Sequence, residues 1–215
     1  MHYGYARNQV AYTGFARFDN YFNFETKNQV LVMPTWRRYA ENVNFVETDY
    51  YKVWSSFLNS RSLSELLESS NVVMYFYLHP HFKDFASFFK TCHPNIKILN
   101  FQEADLQTLI IESKLLITDF SSLAFDFGYM RKPVIYYQYD EEEYFKHHYI
   151  KGYFDYRRDG FGPVCTYLKT LEESLRNYLG NSFLVENKFL TNAKKFFPVF
   201  DSKNSERIYN SILAL

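Results

Sequence analysis

Short apolar runs alternate with segments of helical periodicity along most of this 215-residue chain. We predict strands from these runs at 29–33, 72–78, 96–99, 114–118 and 133–137. Strands that alternate with helices form βαβ units. The sequence therefore predicts an α/β fold, with a Rossmann-like parallel sheet that carries helices on both faces.

The intervening segments predict helices at 48–58, 62–69, 82–90, 104–112, 121–129 and 140–147. After Gly162 and Pro163 the pattern becomes wholly helical, with helices predicted at 168–179, 186–196 and 203–213. Residues 1–20 fit neither pattern. We therefore predict a linker or the remnant of a preceding domain at 1–24, a Rossmann-like domain at 25–200 and a C-terminal helix at 201–215.

Charge balance and cysteine content narrow the classes of function. Lys and Arg total 24 and Asp and Glu total 24, so a net charge of zero argues against general nucleic-acid binding. Cys92 and Cys165 show neither metal-site spacing nor a disulfide framework. The chain lacks both an apolar run of roughly 18 to 20 residues, as a membrane span needs, and the apolar core of a signal peptide. The sequence predicts a cytoplasmic protein without a metal site.

Two predicted strands end in residues suited to binding phosphate. Arg37 and Arg38 follow the first strand, where they either clamp phosphate oxygens or form a solvated basic turn. His79 follows the second strand, and Pro80 restricts the turn after it. Because the carboxyl ends of parallel strands share one edge of a sheet, we expect these residues at a common ligand site.

The strongest candidate site is the corner at 118–122 (TDFSS), where an apolar strand gives way to a helix. Ser121 and Ser122 present hydroxyls and first-turn N–H groups that could bind an anion, although Ser121 could equally be an N-cap. Asp126 lies one helical turn after Ser122, either near a ribose or as a solvent-facing charge. The chain contains no G-x-S-x-G, G-x-x-x-x-G-K-[ST] or G-x-G-x-x-G motif.

The corner and the segments around it resemble the signature of the CDP-glycerol glycerophosphotransferase family, which includes teichoic-acid primases and polymerases. The matching segments are 13–19 (TGFARFD), 33–37 (MPTWR), 78–80 (LHP), 118–122 (TDFSS), 125–127 (FDF), 132–137 (KPVIYY), 139–140 (YD), 162–163 (GP) and 201–207 (DSKNSER). Their ordered agreement is more specific than any single motif. One departure is Tyr77, where family members often carry a basic residue.

Family members have the GT-B architecture, in which two Rossmann-like domains face each other across a cleft. The resemblance implies that this chain is the C-terminal, donor-binding half. It implies a CDP-glycerol or similar CDP- or CMP-activated donor, a lipid-linked polymer acceptor, release of CMP and no cofactor. It assigns catalysis to His79 and donor binding to Arg37, Thr118, Asp119, Ser121, Ser122 and Asp126.

In this assignment His79, Ser121 and Ser122 contact the donor pyrophosphate, while Arg37 and Asp126 lie in or beside the nucleotide pocket. The acceptor domain, which holds the general base that is usually proposed, is expected to be missing from the chain. A lipid-linked acceptor also implies contact with the inner face of the membrane, and several lysines among aromatic residues in the last helices are compatible with this.

Two other functions stay open. Capsule sialyltransferases and related enzymes also combine a histidine–proline turn with a serine pair around CMP, so a CMP-sugar-dependent GT-B glycosyltransferase is one alternative. The other is a non-catalytic donor-binding fragment or subunit, which the expected absence of the acceptor domain favours.

Overall fold

The computed structural model describes residues 4–22, 24–41, 43–147 and 150–214, and this part of the chain forms a six-stranded sheet. The strands are β1 (Gln29–Val32), β2 (Val73–Tyr77), β3 (Ile96–Leu99), β4 (Leu115–Thr118), β5 (Val134–Tyr137) and β6 (Val164–Cys165). Their order is β3-β2-β1-β4-β5-β6, and all neighbours pair in parallel. The predicted α/β fold and all five predicted strands are confirmed.

The sixth strand corrects the prediction that the chain is wholly helical after Gly162 and Pro163. β6 pairs with β5, with Val164 opposite Tyr136. A Cβ atom on Gly162 would lie 1.6 Å from the carbonyl oxygen of Val134, so glycine is required where the chain approaches β5. A strand of two residues shows no hydrophobic period, which is why the sequence pattern did not reveal it.

The helices confirm eight of the nine predicted helical segments as α-helices. They are α1 (Asp49–Leu58), α2 (Arg61–Ser69), α3 (Leu106–Glu112), α4 (Leu123–Tyr129), α5 (Glu141–His147), α6 (Tyr156–Asp159), α7 (Leu168–Gly180), α8 (Asn187–Phe196) and α9 (Asn204–Leu213). The segment predicted at 82–90 is instead the 3₁₀ helix Pro80–Phe88, and Phe82 within it has non-helical dihedral angles. The short helix α6 was not predicted.

The sheet separates two apolar cores, as expected for helices on both faces. Val30 and Val32 of β1 pack into one core, whereas Leu31 and Met33 pack into the other. Every residue of β1, β4 and β5 is buried, which is typical of central parallel strands. Large aromatic side chains fill both cores, including Trp54 on one face and Phe127 on the other.

Part of the N-terminal segment packs against the domain, while most of residues 4–15 are exposed. The segment 16–21 forms a 3₁₀ helix, and its Phe18 and Tyr21 side chains are buried in the second core. Asp19 accepts hydrogen bonds from the N–H groups of Asn204 and Ser205, both at 2.8 Å, and so joins this segment to the start of α9. The boundaries predicted at 24 and 200 stay predictions, but the segments on either side of them are in contact.

Candidate functional site

A cavity of about 420 Å³ opens at the carboxyl edge of the sheet. The strand order reverses between β1 and β4, and open parallel sheets bind ligands at such a switch point. The loops after β1, β2, β4 and β5 supply the walls. The lining residues are Thr35, Trp36, His79, Phe120, Ser121, Ser122, Tyr144, Phe145, Ile150, Gly152, Phe154 and Tyr156.

Three of the predicted site residues, His79, Ser121 and Ser122, meet in this cavity. His79 lies at the start of the 3₁₀ helix Pro80–Phe88, and its Nδ1 atom accepts the N–H of His81 at 3.3 Å. Because Nδ1 is an acceptor, the neutral imidazole carries its proton on Nε2. The ring of His79 lines the cavity, within reach of a bound ligand.

The serine corner combines helix capping with free donors. Ser121 Oγ accepts the N–H of Leu123 at 3.1 Å, so the predicted capping role is present. Within the described residues, the backbone N–H groups of Ser121 and Ser122 and the hydroxyl of Ser122 have no hydrogen-bonding partner in the protein. These groups are available to bind oxygen atoms of a ligand. A larger cavity of about 720 Å³, with a mainly apolar lining, also reaches Ser122.

The structure places Arg37 beneath the cavity, with no exposed side-chain surface. Its guanidinium donates from Nε to Asp140 Oδ2 at 2.7 Å and from Nη2 to Asp119 Oδ2 at 2.8 Å. Burial opposes the charge on Arg37, but Asp119, Tyr139 and Asp140 outweigh it and raise the pKa of the guanidinium well above its ordinary value. Arg37 therefore remains charged inside the protein.

The other predicted donor-binding residues also lie away from the cavity surface. Thr118 is buried and donates its hydroxyl to the carbonyl oxygen of Met33 at 2.7 Å. Asp126 is 4% exposed, and it accepts hydrogen bonds from Arg17 Nε at 2.7 Å and Tyr21 OH at 2.6 Å. A direct contact between Asp126 and a donor stays a prediction, because this carboxylate is already engaged with the N-terminal segment.

Several residues of the site were not identified from the sequence. Trp36 and Tyr144 line the cavity, and Tyr144 stacks on Phe120 with ring centroids 3.9 Å apart. Tyr156 donates its hydroxyl to the carbonyl oxygen of Phe120 at 3.1 Å and so supports the corner. The aromatic residues around 144–156 were visible in the sequence, but nothing in a chain with 21% aromatic content distinguished them from core residues.

In the described ranges, no three histidine, cysteine or acidic side chains converge as metal ligands would. None of the helices in the same part of the chain combines the length and the apolar character that crossing a bilayer requires.

Comparison with known proteins links this geometry to a family. Residues 1–214 match the model of the family described as CDP-Glycerol:Poly(glycerophosphate) glycerophosphotransferase. The minor teichoic acid biosynthesis protein GgaB of Bacillus subtilis (strain 168) is 33% identical over 99% of this chain, which spans 24% of GgaB. A teichoic acid glycerol-phosphate transferase of Staphylococcus aureus (strain NCTC 8325 / PS 47) is 31% identical over 50% of the chain and 28% of its own length.

Solved structures support the same fold. A variant of the wall teichoic acid polymerase TagF superposes with a TM-score of 0.69 and 21% identity, over 98% of this chain and 53% of the TagF chain. A UDP-N-acetylglucosamine 2-epimerase from Listeria monocytogenes gives a TM-score of 0.57 and 17% identity, over 97% and 54% of the two chains. The chain thus spans about half of these structures and a quarter of GgaB. It belongs to the CDP-glycerol:poly(glycerophosphate) glycerophosphotransferase family.

Proposed function

We propose that this chain is the donor-binding part of an enzyme that transfers glycerol phosphate, or a related polyol phosphate, from CDP-glycerol to a teichoic-acid or other cell-surface polymer. The observation that carries the proposal is the convergence of His79, Ser121 and Ser122 in one cavity at the switch point of the sheet. Relatives named as glycerol-phosphate and ribitol-phosphate polymerases support the class of donor.

The proposed chemistry is a phosphoryl transfer. An acceptor hydroxyl attacks the β-phosphorus of the donor and forms a new P–O bond, while the bond from that phosphorus to the bridging oxygen breaks. CMP leaves with the electron pair, and a general base on the acceptor side takes up the hydroxyl proton. Positioning and charge stabilisation dominate catalysis in such reactions.

His79 is the proposed catalytic residue. Its Nε2–H would donate to the phosphate of the departing CMP, where negative charge increases in the transition state. The free N–H groups of Ser121 and Ser122 would bind other oxygens of the pyrophosphate. Ser122 would also face the acceptor, because it lies at the junction of the two cavities.

Release of CMP from CDP-glycerol in the presence of polymer acceptor tests this role. We expect His79→Ala to slow CMP release by about 10²- to 10⁴-fold, the usual contribution of one positioned proton donor. His93→Ala is the matched control. His93 lies in the loop before β3, at the amino ends of the strands, whereas the cavity lies at their carboxyl ends. Measurable CMP release at equal rates by His79→Ala and the unmodified protein would refute the proposed role.

Two measurements on the 215-residue chain distinguish a complete enzyme from a donor-binding fragment: calorimetric titration with CDP-glycerol and an assay of CMP release. Binding of CDP-glycerol with CMP release supports a complete enzyme, whereas binding without turnover supports a donor-binding fragment that needs an acceptor domain. A panel that includes CDP-ribitol and a CMP-sugar distinguishes the polyol-phosphate donors from the glycosyltransferase alternative. Preference for the CMP-sugar would overturn the proposal.

We also propose that the acceptor is lipid-linked and that the protein meets it at the cytoplasmic face of the membrane. Helix α8 exposes Lys188, Lys194 and Lys195, and Val199 and Phe200 after it are also exposed. Co-sedimentation with vesicles containing phosphatidylglycerol, compared with neutral vesicles, tests this proposal. Lys194→Gln/Lys195→Gln should reduce binding to the anionic vesicles, and equal binding to both vesicle types would contradict it.

A further inference from the structure

We propose that Arg37 is a positioning residue for the donor site: it holds the serine corner through Asp119 and Asp140 and does not touch the donor. This inference rests on the proposed function. It replaces the phosphate clamp that the position of Arg37 after the first strand suggested, and the place in or beside the nucleotide pocket that the resemblance implies.

Four of the five N–H groups of the Arg37 guanidinium donate to acceptors among the described residues. Nη1 donates to the carbonyl oxygen of Thr35 at 2.7 Å, and Nη2 donates to Asp119 Oδ2 at 2.8 Å and to Asp140 Oδ1 at 2.9 Å. Nε donates to Asp140 Oδ2 at 2.7 Å, so the contact with Asp140 is bidentate. These acceptors follow β1, β4 and β5, so a single side chain fixes the exits of three adjacent strands.

Aromatic rings of the cavity wall cover Arg37. The guanidinium carbon lies 4.8 Å from the ring centroid of Tyr144 and 5.4 Å from that of Phe120. Both rings line the cavity and stack on each other. The side chain of Arg37 is 0% exposed, so a donor in the cavity meets the rings and not the guanidinium.

Asp119 connects Arg37 to the backbone of the corner through hydrogen bonds. Its Oδ1 atom accepts the N–H of Thr35 at 2.9 Å and the N–H of Phe120 at 2.6 Å, while Oδ2 accepts Arg37. Gln138 donates its amide to the carbonyl oxygen of Asp119 at 2.9 Å. The backbone that leads directly into Ser121 is therefore fixed on several sides.

Arg37→Lys distinguishes positioning from direct contact. A lysine keeps the positive charge and can still serve as a point charge for phosphate, but it cannot match the planar fork that binds two carboxylates and a carbonyl. If Arg37 acts by position, we expect Arg37→Lys to weaken CDP-glycerol binding at least about tenfold, as small misplacements in a site do. If Arg37 binds phosphate directly, affinity should also fall, because a lysine replaces a bidentate arginine poorly, but backbone exchange at 119–122 in the absence of donor should not change.

A double-mutant cycle with Ser121→Ala/Ser122→Ala strengthens the test. A residue that acts through the serine corner loses most of its effect once the corner is altered, whereas independent contacts give additive losses. Alanine removes the two hydroxyls and the Ser121 cap on Leu123 but leaves the backbone N–H groups in place, so we expect Arg37→Lys to cost less in the double-alanine background than in the unmodified protein. Fully additive losses would count against the inference.

Backbone hydrogen exchange at 119–122 measures how firmly the corner is held in the absence of CDP-glycerol. Arg37→Lys should accelerate exchange there, and Arg131→Lys should not, because Arg131 is a half-buried arginine that binds the carbonyl oxygens of Gly128 and Phe197 away from the cavity. Failure of the unmodified chain to bind CDP-glycerol would count against the proposed function alone, while unchanged exchange in Arg37→Lys would refute the positioning role.

Asp140→Asn is the second variant, for use if Arg37→Lys does not fold. The amide removes one charge from the cluster and places an NH₂ group against the guanidinium. Positioning predicts weaker donor binding and faster exchange at 119–122. A direct contact by Arg37 predicts neither change, because Asp140 does not line the cavity.

Discussion

Asp119 precedes the pair Ser121 and Ser122, and Asp126 follows it. Each aspartate binds an arginine, but the two ion pairs differ in burial. Asp119 pairs with Arg37, and neither side chain has exposed surface. Asp126 pairs with Arg17 of the N-terminal segment, whose side chain is 47% exposed. The first pair joins neighbouring strand ends beneath the cavity, while the second attaches a separate segment to α4.

The difference in burial determines what each pair contributes. Arg17 is half exposed, so solvent screens its charge and water can take its place beside Asp126 when that contact is lost. Water cannot reach Asp119, and removal of Arg37 would leave Asp119 and Asp140 close together without a cation. We therefore expect the Arg37 cluster to determine both the stability of the domain and the geometry of the site, and the Arg17 pair to determine mainly the docking of residues 16–21.

The largest effect is expected for Arg37→Ala. Breaking a buried ion pair by removing one partner typically costs 3–5 kcal/mol, and we expect a loss of about 4 kcal/mol in the free energy of unfolding. Urea denaturation followed by circular dichroism measures this loss. A loss below about 1 kcal/mol would show that the two carboxylates are solvated despite their burial.

Arg17→Ala should have a smaller effect. Asp126 would keep its hydrogen bond from Tyr21, and screening reduces the value of the lost pair, so we expect about 1–2 kcal/mol. Arg61→Ala is the control, because the fully exposed Arg61–Glu65 pair on α2 should contribute little to the free energy of unfolding. Equal losses for Arg17→Ala and Arg37→Ala would remove burial as the explanation of the difference.

Tyr21→Phe measures the contribution of the uncharged hydrogen-bond donor to Asp126, the hydroxyl of Tyr21. The change removes a hydrogen bond of 2.6 Å and keeps the buried ring, so we expect a loss of about 1 kcal/mol. Burial and Asp126 raise the pKa of Tyr21 above its ordinary value, so the hydroxyl stays a donor across the neutral range. Tyr209→Phe on the exposed face of α9 should leave the urea midpoint unchanged, and a similar loss in both variants would contradict the role of Tyr21.

The sequence predicted the strands and helices around the site well, because these elements depend on local patterns. Buried strands and amphipathic helices have characteristic periods, so β1 to β5 and most helices were identified from the sequence. Strand ends in a parallel sheet share one edge, and this rule correctly brought His79 together with Ser121 and Ser122.

The partners of the charged residues could not be predicted in the same way. Asp126 is separated from Arg17 by 109 positions, and Arg37 from Asp140 by 103, so no local spacing connects them. An arginine after a strand has the same local pattern whether it faces a ligand or buried carboxylates. The sequence left a phosphate clamp and a solvated basic turn open at Arg37, whereas the structure shows an internal ion cluster.

The smallest effect is expected at Asp19, at acid pH. Burial disfavours the charge on Asp19, but hydrogen bonds from Ser205 and Asn204 outweigh burial and lower the pKa of its carboxyl to about 2. A carboxyl whose pKa is lower in the folded state than in the unfolded state stabilises the fold above the unfolded pKa of about 4. That contribution should disappear as the pH falls from about 4 to about 2.

Asp19→Asn should therefore be less stable than the unmodified protein at pH 6, and the gap between their urea midpoints should narrow as the pH falls to about 2. The pKa of Asp159, which Arg158 also lowers to about 2, affects both proteins equally and cancels in the difference. A gap that stays constant from pH 6 to pH 2 would show that the charge of Asp19 adds nothing to its contact with α9. The N-terminal segment would then be held to the domain mainly by the burial of Phe18 and Tyr21.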